Sequence, residues 1–276
     1  MSDGIENHGS WGVTVDKSSF GGVILAAIGI LAGLLLEGGN LRQILQPTAA
    51  LIVFGGTIGA VMLQFPLSTV ATAFKELARV FFSRRVGSDA LLKQILEYAN
   101  KARRSGIVSL DADLGKIEDR FLRQALMLAV DGTAPVELRK IMQMEIDNFA
   151  ENEERIPAVF ESAGGFSPTI GIIGAVLGLI QVMQHLDKID EVGKGIAVAF
   201  VATIYGVGAA NIIFLPSAGK LRIRIREQQK LQEMILEGII SILEGMNPRM
   251  IDVKLRSFLA TGEARESPTK SAKHET

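Results

Sequence analysis

Cysteine is absent from all 276 residues, so the chain forms no disulfide and offers no thiolate to zinc or to an iron–sulfur cluster. Its three histidines, His8, His185 and His274, are too scattered to imply a metal centre. Excess charge is lacking as well. The formal net value is −1, and residues 75 to 161 carry 14 Lys and Arg against 15 Asp and Glu, a balance that gives nucleic acid no basic face to bind. No nucleophile beside a base and no phosphate-binding loop is apparent, so neither an enzyme nor a cofactor is expected.

The most informative absence is local. The 25 residues between Lys194 and Lys220 contain no Asp, Glu, Lys or Arg, and residues 162 to 186 contain none either. Separated by a short polar hairpin of Asp187, Lys188, Asp190, Glu191 and Lys194, the two runs read as a pair of membrane-spanning helices. Residues 20 to 36 form a further apolar run, about 17 residues or roughly 25 Å of helix, enough to cross a hydrocarbon core with help from its flanks. A long uncharged segment from 43 to 74 supplies the remaining span. It starts near Pro47, which a first helical turn tolerates, and reaches about Leu63 before Pro66 bends or restarts the helix. The run from 20 to 36 is expected to stay as a span and not to be cleaved as a signal peptide, because Asp3 and Glu6 precede it and no small-x-small site follows.

The fold class read from these patterns is all-α, a polytopic membrane protein with four transmembrane helices and a helical cytoplasmic domain. Lys75, Arg79, Arg84 and Arg85 follow the second span and Lys220, Arg222, Arg224 and Arg226 the fourth, whereas the hairpins hold only Arg42, Lys188 and Lys194. The positive-inside rule then puts the large insert and both termini in the cytoplasm. The organisation is a cytoplasmic N-terminal extension at 1–18, transmembrane helices 1 and 2 within 19–74, a cytoplasmic helical domain at 75–161, transmembrane helices 3 and 4 within 162–219, a cytoplasmic C-terminal helical region at 220–260 and a disordered tail at 261–276.

Within the insert, Phe121, Leu122, Ala125, Leu126 and Ala129 recur at helical spacing until Asp131-Gly132-Thr133 breaks the pattern and Pro135 opens a new first turn. Leu138, Ile141, Met142, Met144, Ile146 and Phe149 then sit among charges, suiting a helix that packs on others. Leu231, Met234, Ile235, Ile239, Ile242, Leu243 and Met246 form another packing stripe, ended by Asn247-Pro248. Gly171, Gly174 and Gly178 in the third span, with Gly206, Gly208 and Ala209 in the fourth, allow close helix approach.

Ser167, Pro168, Thr169, Thr203, Tyr205 and Asn211 lie in the last two spans, yet no span holds an acidic or basic residue. Polar groups of this kind face protein or a hydrated path, and hydroxyls hydrogen-bond without carrying charge. If ions cross here, a partner must supply the carboxylate.

The run from Ser167 to Ile180, reading SPTIGIIGAVLGLI, followed by GIAVAFVATIYG from Gly195 to Gly206 and by Ala210-Asn211 to Leu215-Pro216, resembles the MotA (PomA, MotC) flagellar stator subunits of the MotA/TolQ/ExbB proton channel family. Arg103-Arg104-Ser105-Gly106-Ile107-Val108-Ser109-Leu110-Asp111 is similar to that family's Arg-x-x-Gly-x-x-x-Leu-Glu, with Asp in place of the usual Glu. The resemblance covers about residues 20 to 256. It implies a homopentamer around two copies of a MotB-type, peptidoglycan-anchored partner in the bacterial inner membrane, in contact with membrane lipid, with ion flow driving rotation against the rotor protein FliG. It further implies that Arg103, Arg104 and Asp111 meet the rotor, that Pro168 and Pro216 couple ion transfer to movement, and that Ala175, Thr203 and Tyr205 border the ion pathway. Sodium-type relatives commonly carry Thr where Ala175 stands, so the expected ion is the proton, with sodium second.

Among alternatives, an ExbB or TolQ-like energiser of a different envelope machine has three spans with its large cytoplasmic part after the first, whereas two spans precede the insert here. A secondary transporter is disfavoured because neither an inverted repeat nor a binding charge is visible. A structural membrane protein without ion flow would be recognised by the lack of a single-span peptidoglycan-binding partner.

Overall fold

The computed structural model describes residues 13–84 and 87–263, which divide into two compact units, one of residues 1–85 and 153–223 and one of residues 86–152 and 224–276. Apart from a three-residue strand pair, the described chain is helical, as its sequence pattern requires. In order these are β1 (Val13–Val15), α1 (Lys17–Leu36), α2 (Leu41–Ile44), α3 (Pro47–Gln64), α4 (Leu67–Phe81), β2 (Phe82–Arg84), α5 (Ser88–Ser105), a 3-10 helix (Ile107–Lys116), α6 (Arg120–Val130), α7 (Pro135–Gln184), α8 (Ile189–Leu243) and α9 (Pro248–Glu263). Four helices, α1, α3, α7 and α8, are long and apolar enough to cross a membrane, matching the four expected spans.

Two of these helices are longer than their sequence borders imply. Instead of beginning at the membrane, α7 runs 50 residues from Pro135, with Pro157 and Pro168 inside it, and α8 continues from the fourth span to Leu243. The reason is that helical hydrogen bonding is blind to polarity: a switch from apolar to charged side chains ends a span without ending a helix, and each Pro removes only one backbone donor. Pro66, by contrast, does restart the chain, because Phe65 is extended (φ −123°, ψ 147°) between α3 and α4.

Of the expected 1–18 extension, residues 1–12 lie outside the described residues, but β1 pairs antiparallel with β2, Val13 opposite Arg84 and Val15 opposite Phe82. Asp16 then caps α1, accepting from the Ser18 and Ser19 amides at 3.1 and 3.3 Å, and forms an ion pair with Lys220 at 2.6 Å. Hydrogen bonds from Lys220 and Ser18 hold the Asp16 carboxyl far below the usual carboxylate range. The tail expected to start at Thr261 is helical to Glu263; residues 264–276 lie outside the described residues, as do Arg85 and Val86.

In the first unit, α7 and α8 meet along glycine and alanine. A Cβ placed on Gly206 would stand 2.5 Å from the Ser167 carbonyl oxygen and 3.2 Å from the Pro168 Cα, one on Gly171 2.9 Å from the Ala202 carbonyl oxygen, and one on Gly178 2.8 Å from the Gly195 carbonyl oxygen. All of these are backbone atoms, which cannot swing aside. Span α3 joins through Ala49 and Val53, packed with Val201 and Ala202. Below them Val61, Val70 and Ala73 pack on Val159, Phe160, Ala163 and Leu221, beside a small apolar cavity of about 30 Å³. Span α1 differs, since none of its apolar stretch is buried within the chain.

The second unit has a separate core. Leu92, Ile95, Leu122, Leu126, Leu138, Met142, Ile146, Met234, Ile235 and Ile239 are all at 2% exposure or less, so the stripe at 231–246 serves as internal packing. Ile141 and Met144 of the expected packing set remain exposed. Gly132, at φ +81°, permits the reversal into α7 that Asp131-Gly132-Thr133 foreshadows. Glu237 joins α7 to α9 by accepting from Arg139 and pairing with Lys254 at 2.7 Å. Burial pushes its carboxyl up, and the two cations more than offset this, leaving it below its ordinary value.

The glycine seam sets a clear mutational expectation. Gly206→Val destabilises by about 1–3 kcal/mol through overpacking against backbone, whereas Gly208→Ala, where a Cβ meets nothing within 4 Å, is neutral. Thermal denaturation in detergent and the amount of protein in membranes check the pair.

Candidate functional site

Two groups of residues stand out, and each lies within one unit. The first is the hairpin of α7 and α8 in the membrane-spanning unit. Pro168 has no amide hydrogen, so the Gly164 carbonyl loses its helical partner one turn earlier. Pro216 follows a π turn at Ala209–Phe214, which widens the helix where the ring would otherwise press on the carbonyl four residues back. Both prolines therefore sit inside continuous helix and not at the helix ends, Pro168 half-buried and Pro216 exposed.

Ala175 and Thr203 follow Gly174 and Ala202, and a Cβ on Gly174 would lie 2.8 Å from the Ala202 Cβ, so both stand at one level of the hairpin. Both are half-buried. The Thr203 hydroxyl donates back to the Ala199 carbonyl at 3.3 Å, a bond that a threonine in a helix forms readily and exchanges cheaply. Tyr205 is more firmly committed: its hydroxyl donates to the Ile44 carbonyl at 2.5 Å and accepts from the Gln46 amide at 3.3 Å, while its ring lies 6.0 Å from that of Phe54. The residue thus ties the fourth span to the chain entering the second, leaving only its ring for any contact with a pathway. Ser167 is fully buried, and its hydroxyl has no partner among the described residues. The spans contribute no Asp, Glu, Lys or Arg to this region.

At the base of the hairpin the pattern reverses. Arg222 binds Glu161 with two nitrogens, at 3.2 and 2.6 Å, and Glu154 with its Nε at 2.5 Å. Those hydrogen bonds raise the arginine and hold Glu161 below its ordinary value. Sequence reading used Lys220 and Arg222 only as orientation signals; their partners Asp16, Glu154 and Glu161 are remote in sequence and give no periodic clue. The capping Asp16 directly before an apolar run was the one visible hint.

The second group lies in the other unit. Arg103 and Arg104 close α5, Gly106 at φ +80° turns the chain, and the 3-10 helix carries Asp111. Leu110, fully buried, fixes the helix to the core beside it. Arg103, Arg104 and Asp111 are all exposed, and their side chains have no hydrogen bond or ion pair among the described residues. The structure therefore leaves these three residues as free surface charges of both signs on two successive elements. Lys101 and Asp113, on the same two elements, form an ion pair at 2.5 Å. No group of three or more metal-ligating side chains occurs among the described residues.

Residues 113–234 match the MotA/TolQ/ExbB proton channel family, and residues 20–106 match the Motility protein A N-terminal family. The chain is 36% identical over 248 residues to Motility protein A of Bacillus subtilis, covering 89% of this chain and 91% of that one. It is 33% identical over 253 residues to Motility protein A of Helicobacter pylori, covering 92% and 98%. Among solved structures it is similar to a chain of the C. jejuni MotAB structure, with a TM-score of 0.84 and 33% identity over 92% of this chain and 100% of that one. Two matched family regions, one covering the hairpin and the other reaching Arg103 and Arg104, with relatives alike over nearly their whole length, place the chain in the MotA/TolQ/ExbB proton channel family, in its motility protein A branch.

Proposed function

We propose that this chain is the ring-forming subunit of a flagellar stator that works with a MotB-type partner in the bacterial inner membrane. Five copies surround two copies of the partner, and proton flow between them turns the ring against the rotor protein FliG. The observation that carries this reading is the pairing of four uncharged spans with a set of exposed, unpaired charges at Arg103, Arg104 and Asp111. An energy converter of this design borrows its ion-accepting carboxylate from the partner and spends the resulting movement through surface charge. The relatives whose structures are solved as MotAB complexes support the partner. The basic residues Lys75, Lys220, Arg222 and their neighbours beside the spans support a cytoplasmic charged unit and cytoplasmic termini.

Ring movement has local supports in the hairpin. Pro168 and Pro216 each weaken one backbone link inside helices that otherwise run unbroken, and the π turn before Pro216 is a second place where the helix is widened. Thr203 faces the partner's carboxylate together with Ala175, its hydroxyl able to leave the Ala199 carbonyl at little cost. Ala175 has no oxygen to offer a sodium ion that must shed part of its water shell, which favours the proton.

Ion replacement and changes of surface charge test the reading. Swimming driven by this subunit and its partner persists when sodium is replaced by potassium at fixed proton-motive force; arrest would assign sodium. Neutralising Arg103 or Asp111 singly weakens torque modestly, each exposed contact being worth about 1 kcal/mol or less. Reversal by Arg103→Glu stalls the motor with ion conduction and membrane level intact, and a compensating reversal in FliG restores torque. Full torque in Arg103→Glu would remove the loop from the rotor interface.

A further inference from the structure

Asp111 and Asp113 are two residues apart on a 3-10 helix, where three residues make a turn, so their side chains leave different faces. Their surroundings differ accordingly. Asp111 is exposed and its carboxylate has no hydrogen bond or ion pair among the described residues. Asp113 is half-buried and receives two cations, Lys101 Nζ at 2.5 Å on one oxygen and Lys116 Nζ at 3.6 Å on the other. Lys101 lies on α5 two residues before Arg103, so the Lys101–Asp113 pair bridges the two elements that carry the free charges of the motif. The hydrogen bond from Lys101 holds the Asp113 carboxyl below its ordinary value.

We propose that Asp113 is a positioning residue: by taking Lys101 and Lys116 as its own counter-ions it fixes the Ile107–Lys116 helix on α5 and keeps Asp111 available as the free negative charge of the rotor-facing surface. Without it, two ammonium groups are left beside a loop whose remaining carboxylate is Asp111, and pairing there both masks that charge and moves it. The proposal rests on the stator reading above. Other anchors survive the change, because Leu110 stays in the core and the Arg123 guanidinium still holds the Ile117 carbonyl through its Nε at 3.0 Å. Loss of the pair therefore disturbs the loop without unfolding the unit.

The absence of cysteine makes the test direct, since a spin label on Ala112→Cys, an exposed position between the two aspartates, reports loop order at a single site. Label mobility is read in the purified complex with the partner, and stall torque per stator in cells, with ion flux and membrane level measured alongside. Asp113→Asn raises label mobility and lowers torque about two-fold, in keeping with a partly exposed pair, while flux and level stay unchanged. The exchanged pair Lys101→Glu with Asp113→Lys restores both readouts, which a merely damaged fold would not permit. Unchanged mobility or unchanged torque in Asp113→Asn overturns the proposal, as does an exchanged pair that recovers neither. Failure of the stator reading shows separately, as the absence of torque and ion flux from the unaltered complex, whereas full torque in Arg103→Glu removes only the loop from the rotor interface.

Discussion

Close backbone contact between α7 and α8 is the constraint on which the membrane-spanning unit depends. Gly171, Gly174 and Gly178 on one helix face Gly195, Ala199, Ala202 and Gly206 on the other, and backbone carbonyls stand where side chains would be. In a bilayer there is little hydrophobic force to press helices together, so small residues that bring backbones near gain the dispersion contact that holds them. The same arrangement leaves no room at the seam for a charged group. A seam packed on glycine thus holds no carboxylate, which is why the proposed function assigns the ion-accepting group to a partner.

The charged unit solves a different problem in water. Its apolar core is continuous, and its charged residues fall into those paired so as to fasten elements and those left unpaired at the surface. Glu237 with Arg139 and Lys254, and Asp113 with Lys101, belong to the first kind. Arg103, Arg104 and Asp111 belong to the second. Solvent-exposed charges contribute little to stability, so leaving three of them unpaired costs the fold almost nothing and is compatible with the rotor contact proposed for them.

The four spans were legible because a long uncharged run has few other uses, and the helices of the insert because Leu122, Leu126 and Met142 recur at helical period. Span borders were read as helix ends, which the continuous α7 and α8 show they are not, since polarity and hydrogen bonding change independently along a chain. The prolines and the charged loop were found through family likeness, yet their settings were not. Nothing in the sequence told that Tyr205 is held by Ile44 and Gln46, 161 and 159 residues away, or that Asp113 and not Asp111 takes Lys101. Long-range pairs of this kind carry no periodic signal. The β1–β2 pairing at 13–15 was missed for a related reason: three residues are too short for an alternation to register.

The partner-supplied carboxylate is tested most directly by proton flux into liposomes holding this chain alone, this chain with its single-span partner, and the same complex with the partner's membrane aspartate changed to asparagine. Uncharged spans predict flux in the second preparation only. Sustained proton flux through the chain alone, or through the complex with the amide, would contradict it.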